Sequence, residues 1–435
     1  MSDNKKIILL GVFSELIYLS FFLIDPIRNK FGDFSLVLSL SNFYFYITEL
    51  LILLAVFYFI ISRINFDEKK FKLAMIFFGI FSASVFFIRP VTSIDAYTYI
   101  HTSRVLSVHR ANPYIYNFDN FPTDSFAPII KNIWSNKPTP YAPLFTIISS
   151  LITLVGQNSL TLSLYLFKLL FITLNLTCAF LIYKIFNNYK AAVLYAWNPL
   201  LLFEFGINAH NDILTLFFLL LSLFFIYNRK LNFKNYSLSL FFLLLSVMIK
   251  YISAIFLPIL FLIALRNLST MKQRLQLFGI SALISFLVLA SLYLPFWTGF
   301  DIFSRVISQS TNSFSVWIFS SPLIIIIAAI LNIFKFNNLI SVSTFLGKIT
   351  FVITYIFILL KIIFSKSIGS EKNIYYFSLA LLAFFFSFFS WLMPWYLTCL
   401  LVLFITQYSV KKNEYFFFAI HATTLYGILY YIILR

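Results

Sequence analysis

The chain is built from apolar segments long enough to cross a lipid bilayer, and they recur from residue 6 to residue 433. About 20 apolar residues in a helix span the hydrocarbon region. Because no water is present there to bond backbone groups, such segments must be helical. Hydrophobic residues make up 61% of the sequence and charged residues 11%, whereas soluble domains carry about 25% charged residues. The sequence therefore predicts an all-α polytopic membrane protein.

The segments predict one bundle, residues 1–435, of about 11 to 14 transmembrane helices. No cleavage pattern follows the first segment, so Ile7–Ile24 is expected to be a retained first helix. The segment 236–265 is long enough for two short helices that break around Lys250. The number of crossings between residues 142 and 212 stays open.

Basic residues lie mostly in short loops between the apolar segments, and the net charge is +17. They are typical of cytoplasmic loops under the positive-inside rule, and they do not form a nucleic-acid surface. Three segments precede residue 89, so the longest polar stretch, 89–141, is expected outside the plasma membrane. Cys178 and Cys399 both lie in apolar segments, which indicates no disulfide framework.

The first candidate site is in this polar stretch. A helix beginning at "DAYTYIHTSR" would place Asp95, Tyr99 and Thr102 on one face, with Arg104 further along. A loop of this length in a compact protein is usually functional. Asp95 is thus a candidate base, and the alternative is a solvated helix end.

The second candidate site is "WNPLLLFEFGINAHND", in which polar residues interrupt two apolar segments. Ionisable residues in membrane segments commonly mark functional sites. The alternative is a polar turn in which Asp212 caps the next helix. Metal binding by His210 is not favoured, because no second His or Cys stands at ligand spacing.

Lys250, in "MIKYISAIFLP", is a lone ammonium group among apolar residues. Its insertion cost requires an anionic partner, unless the side chain reaches the membrane surface. Near the end of the chain, "YLPFWTGFD" and "SWLMPWYL" are rich in aromatic residues. These suit either an interfacial belt or walls that contact a sugar or a prenyl chain.

Taken in order, these motifs resemble the GT-C superfamily of polyprenyl-phosphate-sugar-dependent glycosyltransferases, in particular its mannosyltransferase-like membrane proteins. The resemblance covers about residues 90 to 400, through "DAYTYIHTSR" with "NPYIY", "TPYAPLFTIISSL", "WNPLLLFEFGINAHND", "MIKYISAIFLP", "LPFWTGFD" and "MPWYL". It implies inverting transfer of a hexose, mannose first among the candidates, from a polyprenyl-phosphate donor to a lipid-linked or glycan acceptor at the outer face.

The resemblance also implies roles for individual residues. Asp95, in the external loop 89–141, would be the catalytic base, and Arg104 and Lys250 would hold the departing phosphate. The substrate-binding residues would be Tyr99, Arg104, Tyr114, Tyr141, Asn208, His210, Asn211, Asp212, Lys250, Tyr251 and Trp395.

Two departures from the family pattern stand out. Glycines common near these motifs are replaced here by His109-Arg110-Ala111 and by Ala142, and Ala96 follows Asp95 where some branches have a second acid. A paired-carboxylate metal site is therefore not favoured, and no cofactor is expected. The alternative functions are a polysaccharide polymerase or ligase, and a transporter of lipid-linked glycans.

Overall fold

The computed structural model describes residues 1–24, 40–130, 134–227, 232–299, 320–365, 370–389 and 392–433. The described residues are 80% helical and contain no strand. Their helices are α1 (Asp3–Ser20), α2 (Leu40–Arg63), α3 (Glu68–Phe87), α4 (Asp95–Ser107), α5 (Ala127–Ile130), α6 (Pro143–Gly156), α7 (Leu160–Phe186), α8 (Tyr189–Ala196), α9 (Pro199–Leu201), α10 (Asp212–Tyr227), α11 (Phe233–Val247), α12 (Phe256–Arg266), α13 (Met271–Tyr293), α14 (Pro322–Ile333), α15 (Leu339–Phe364), α16 (Ser370–Ser387), α17 (Leu397–Lys411) and α18 (Glu414–Ile433).

The expected all-α polytopic membrane fold is confirmed. Within the described ranges, six helices are long and apolar enough to cross a membrane, and a bent pair adds a seventh. The six are α2, α3, α7, α13, α15 and α18. This number is below the expected 11 to 14 because several apolar segments are interrupted or short. Residues 236–265, for example, break at Lys250 between α11 and α12, as the sequence predicts.

Local capping fixes where several helices begin. Asp67 accepts a hydrogen bond from the backbone N–H of Lys70 at the start of α3, and Ser159 does the same for Leu162 in α7. Such side chains satisfy N–H groups that have no partner within the helix. Polar residues between apolar segments thus end one helix and begin the next.

α3 and α7 run in opposite directions and define the two ends of the bundle. The Tyr165 hydroxyl, early in α7, donates to the carbonyl of Phe87 at the end of α3. At the opposite end, the ring of Phe71 lies 5.0 Å from that of Tyr183 and 4.9 Å from that of Tyr189. We call the Phe87 side the site end, because α4 begins there with Asp95.

α6 stays at the site end and does not cross the bundle. The backbone N–H of Leu144, in its first turn, donates to the carbonyl of Met248, and the Ser150 hydroxyl contacts the carbonyl of Ser103 in α4. The carbonyl of Gln157, just after α6, accepts from Arg104 of α4. Both ends of α6 therefore join elements of the site end.

The chain returns to the site end through an interrupted span. It comprises α8, α9 and a π-helical turn, Leu202–Ile207, and α10 leaves at a bend of 119°. Tyr189 lies at the opposite end, whereas the amide of Asn208 contacts the backbone just before Asp95. "NAHND" and Asp95 consequently lie at the same end of the bundle. Between residues 142 and 212 the chain therefore crosses the bundle twice, once through α7 and once through the interrupted span.

The π-helical turn packs tightly against α3. A Cβ atom on Gly206 would lie 2.5 Å from Cγ2 of Val85, so a larger residue would push the two segments apart. The ammonium group of buried Lys168, from α7, donates to the carbonyls of Val85 and Ile207 at 3.0 and 3.3 Å, and also to that of Ile88. The Lys168 ammonium group therefore links the end of α3 to the segment that carries Glu204 and His210.

Candidate active site

Asp95 begins α4, the helix that the sequence predicts there. Its backbone N–H donates to the Ser93 hydroxyl at 3.1 Å, which fixes the turn into the helix. The Asp95 side chain is 20% exposed, whereas the residues from Ala96 to Val105 are buried. Asp95 is thus the one acid of α4 and remains accessible to a substrate at the site end.

Asn208 holds the segment before Asp95 in place. Its side-chain oxygen accepts from the backbone N–H groups of Val91 and Thr92, both at 3.2 Å. Its amide nitrogen donates to the Thr92 hydroxyl at 2.8 Å and to Glu204 at 3.2 Å. The side chain expected to bind substrate therefore positions the backbone that leads to Asp95.

His210 lies between two carboxylates. Nδ1 is 3.4 Å from Oδ2 of Asp95, and Nε2 is 3.3 Å from Oε2 of Glu204. The ring is fully buried, and neither nitrogen forms a hydrogen bond of good geometry with any described residue. The preceding Ala209 has φ 57°, a left-handed conformation that is uncommon for residues other than glycine. The backbone is held in this conformation at the point where it presents His210.

Asp212 and Lys250 form the second charged pair of the site. Nζ of Lys250 donates to Oδ2 of Asp212 at 2.6 Å, and the side chains are 13% and 3% exposed. Nζ also lies 5.0 Å from the ring centre of Tyr396. The sequence predicts an anionic partner for Lys250, and the structure shows that this partner is Asp212. Asp212 is the first residue of α10, directly after the polar turn, and it also forms an ion pair with Lys250.

Tyrosines form one wall of the site. The ring of Tyr99 lies edge-on to those of Tyr141 and Phe145, at 5.3 and 5.0 Å. Burial raises the pKa of Tyr99 and of Tyr141 well above the usual value, and the nearby charges of Asp95 and Asp212 raise each pKa further. Both phenols therefore stay neutral and act only through hydrogen bonds and packing.

Asn211 has hydrogen-bonding capacity that the described residues do not use. Its backbone N–H donates to the Tyr99 hydroxyl at 3.3 Å. Its side-chain oxygen and nitrogen are buried and have no hydrogen-bond partner among the residues that the structure describes. Unpaired buried amides are costly, so this group is a candidate contact for a substrate hydroxyl.

Arg104, to which the resemblance assigns the phosphate, pairs with a protein carboxylate in the structure. The guanidinium group is 1% exposed, and its Nε lies 2.9 Å from both carboxylate oxygens of Asp124. Nη1 donates to the carbonyl of Gln157 and Nη2 to the Ser125 hydroxyl. Asp124 also lies 2.7 Å from Nε2 of His109. Arg104 thus joins the polar stretch to α4, because each of its three side-chain nitrogens donates to a protein acceptor.

Three other aromatic residues expected at the substrate, Tyr114, Tyr251 and Trp395, make contacts within the protein. The Tyr114 hydroxyl, which is buried, donates to the carbonyl of Tyr141 at 2.9 Å. The hydroxyls of Tyr251 and Tyr293 lie 3.0 Å apart. Trp395 stacks on His210, with ring centres 4.0 Å apart and planes at 18°. The imidazole of His210 therefore covers one face of the Trp395 ring.

Glu204 belongs to the second polar segment that the sequence marks, although no role was predicted for it. Sequence reasoning missed Lys168, which carries the same signal, since each is an ionisable residue inside an apolar segment. Tyr431 and Tyr396 carry no such signal. The Tyr431 hydroxyl donates to Oε1 of Glu204 at 2.6 Å from α18, far along the chain. Only the packing of the helices brings the Tyr431 hydroxyl to Glu204.

The site does not offer a converging set of metal ligands. In the described part of the chain, no group of three or more His, Cys, Asp or Glu side chains is placed to hold a metal ion. Asp95 and Glu204 contact different nitrogens of His210, and Asp212 is paired with Lys250. These carboxylates therefore face different partners.

Residues 29–266 match the model of the MptA_B family, described as "Alpha-(1->6)-mannopyranosyltransferase, N-terminal domain". The match covers more than half of the 435 residues and includes Asp95, Glu204, His210 and Lys250, whereas Trp395 lies beyond it. No curated protein and no solved structure gives a significant match. The expected resemblance to mannosyltransferase-like membrane proteins is confirmed.

Proposed function

The chain belongs to the MptA_B family of alpha-(1->6)-mannopyranosyltransferases, and on that premise we propose that it transfers mannose from a polyprenyl-phosphate donor to a hydroxyl of a glycan or lipid-linked acceptor. Family membership supports mannosyl transfer as the activity. The donor, the acceptor and the GT-C-type inverting mechanism are our proposal. The observation that carries it is the partly exposed carboxylate of Asp95 at the site end, set among a histidine, a cation and several tyrosines.

Asp95 is the general base in this proposal. The acceptor hydroxyl gives its proton to the Asp95 carboxylate while its oxygen attacks the anomeric carbon of mannose. The bond from that carbon to the phosphate oxygen breaks, and polyprenyl phosphate leaves. General base catalysis of this kind contributes about 10²- to 10⁴-fold. Asn211, with its unpaired amide, is placed to contact a hydroxyl of the sugar or of the acceptor.

Lys250 is the cation that we assign to the departing phosphate. It lies in the site, whereas each side-chain nitrogen of Arg104 already donates to a protein group, Asp124, Gln157 or Ser125. Asp212 neutralises Lys250 while no donor is bound. Negative charge grows on the phosphate as the bond breaks, so a fixed ammonium group stabilises the transition state more than the ground state.

The linkage named by the family constrains the donor. An inverting displacement produces an alpha linkage only if the mannose is beta-linked to phosphate. A retaining mechanism would require a nucleophile that forms a covalent intermediate with the sugar. We therefore propose a beta-linked mannosyl phosphate as the donor and the 6-hydroxyl of a mannose residue as the acceptor.

We further propose that the site faces the outside of the plasma membrane. Basic residues lie at the opposite end of the bundle, for example Lys70 near the start of α3 and Lys190 near the ring of Phe417. The positive-inside rule would put that end in the cytoplasm. Lipid-linked sugar donors suit such an outer site, because nucleotide sugars are cytoplasmic.

The experiment that tests the proposal uses the purified chain in lipid vesicles. It is supplied with synthetic polyprenyl-phosphate-mannose of either beta or alpha linkage, and with an oligomannoside acceptor. We expect an alpha-linked product from the beta donor and none from the alpha donor. Failure of both lipid donors, with transfer from a nucleotide-linked mannose instead, would overturn the proposed donor class.

A further inference from the structure

The two carboxylates that flank His210 carry an inference beyond a single base. We propose that Asp95, His210 and Glu204 form a proton relay, in which Asp95 passes the acceptor's proton to Nδ1 of His210 and Glu204 stabilises the resulting imidazolium. The inference rests on the proposed function, in which Asp95 meets the acceptor hydroxyl. It adds a role for two residues that lie behind Asp95 and do not contact the substrate.

Hydrogen bonds to Glu204 determine which nitrogen of His210 carries the proton before the reaction. Oε1 of Glu204 accepts from the Tyr431 hydroxyl at 2.6 Å, and Oε2 accepts from the amide of Asn208 at 3.2 Å. Both oxygens of Glu204 thus act as hydrogen-bond acceptors for these neighbours. Oε2 of Glu204 also lies 3.3 Å from Nε2 of His210, at ion-pair distance, so we assign the ring proton to Nε2.

The other ring nitrogen then faces Asp95 without a proton. The tautomer of a histidine is set by the hydrogen bond that its other nitrogen makes. With the proton on Nε2, Nδ1 presents its lone pair toward Oδ2 of Asp95, 3.4 Å away. In this tautomer both Nδ1 and Oδ2 are acceptors, so no hydrogen bond joins them before the reaction. A proton that arrives on Asp95 supplies the missing bond.

The burial of His210 and Glu204 favours the proposed relay. His210 and Glu204 are fully buried, whereas Asp95 is partly exposed, so a proton reaches His210 through Asp95. Attraction between an imidazolium and a carboxylate is stronger in such a low-dielectric site than in water. The stacked ring of Trp395 fixes the plane of the imidazole, and its face attracts a cation.

The relay moves one proton in two successive transfers. The O–H bond of the acceptor breaks as an O–H bond forms on Asp95, and the same proton then moves from Oδ2 of Asp95 to Nδ1 of His210, which returns Asp95 to its carboxylate form. The acceptor oxygen bonds to the anomeric carbon, and the bond from that carbon to the phosphate breaks with its electron pair. The imidazolium returns its proton to water through Asp95 once the products have left.

Two substitutions test the relay by separating kcat from KM. For His210→Gln and Glu204→Gln we expect kcat per folded protein to fall by about ten- to a hundredfold, with the KM for both substrates within about twofold of wild type. His101→Gln is the matched control. His101 is also buried on an aromatic ring, that of Phe118, and the described residues place no carboxylate within ion-pair distance of it. Its kcat should stay near the wild-type value.

A double substitution tests whether the residues act together. If Asp95 and His210 form one relay, Asp95→Asn combined with His210→Gln should be no slower than Asp95→Asn alone. Losses that multiply would overturn the relay, as would wild-type kcat in both single variants. If wild type transfers mannose and only Asp95→Asn is impaired, the relay fails while the proposed function stands.

One measurement needs no variant and covers the case in which the variants do not fold. NMR of the wild-type protein labelled with ¹⁵N and ¹³C, in lipid vesicles, reports which ring nitrogen of His210 carries the proton. The relay requires a neutral ring with its proton on Nε2 and none on Nδ1 before the acceptor's proton arrives. A resting ring protonated on Nδ1 would overturn the relay. Absence of transfer by wild type would instead contradict the proposed function.

Discussion

The ammonium nitrogen of Lys250 lies 2.6 Å from Oδ2 of Asp212, and both side chains are largely buried. The two residues come from different helices, since Asp212 begins α10 and Lys250 stands in the break between α11 and α12. The pair links the second polar segment of the sequence to the third. It also changes the expected effect of substituting Lys250, because Asp212 would then lose its partner.

Lys250→Met should destabilise the protein, because it leaves the Asp212 carboxylate buried without its partner. Removing one member of a buried ion pair costs about 3–5 kcal/mol. Combining Lys250→Met with Asp212→Asn should restore most of this stability, whereas donor KM should stay raised in both variants. Thermal unfolding and initial rates at varied donor concentration measure the two effects.

Lys348→Met is the control for Lys250→Met, since Lys348 is another lysine in a membrane helix, near the ring of Phe388. It should leave donor KM unchanged. Were the double variant at residues 212 and 250 to show wild-type donor KM, Lys250 would have no role in binding the phosphate.

Asp95→Asn should reduce transfer by at least about a hundredfold, because the amide cannot take the acceptor's proton. The protein should remain folded, since the Asp95 side chain is partly exposed and its backbone N–H, bonded to Ser93, is unchanged. Initial rates with polyprenyl-phosphate-mannose give the measurement.

Asp67→Asn is the matched control for Asp95→Asn, at the opposite end of the bundle, where asparagine can still cap α3. It should keep wild-type activity. Near-normal turnover by Asp95→Asn would remove Asp95 from the role of base.

Arg104→Met should destabilise the protein without acting on the donor directly. The substitution leaves the fully buried carboxylate of Asp124 without its principal cation, at a cost of about 3–5 kcal/mol. Combined with Asp124→Asn, it should regain stability and show a donor KM close to wild type. A raised donor KM in the stable double variant would return Arg104 to the phosphate-binding role that the sequence predicts.

Transfer should persist in excess chelator, within about twofold of the untreated rate, because a hard divalent ion needs several converging oxygen ligands. The acids of the site face other partners, His210 for Asp95 and Lys250 for Asp212. Activity is measured with EDTA and after addition of manganese or magnesium. Loss with chelator and recovery with either ion would recast Asp95 as a metal ligand.

Hydropathy and helix periodicity are local properties, and for that reason the sequence alone was enough to predict the all-helical membrane fold, the helix that begins at Asp95 and the break at Lys250. It also marked "NAHND" and Lys250 as polar groups that need a partner, since a buried charge is costly wherever it lies. The resemblance to mannosyltransferase-like proteins came from the order of short motifs.

Tertiary structure decided which of these groups meet. The sequence could not pair Arg104 with Asp124 instead of a phosphate, or place His210 between Asp95 and Glu204. Nor could it show that α6 stays at the site end, which decides where "NAHND" lies. Such pairings join helices distant along the chain, and their energy depends on distance and burial, which no local pattern of residues encodes. The sequence determined which residues are costly to bury, and the packing of helices determined their partners.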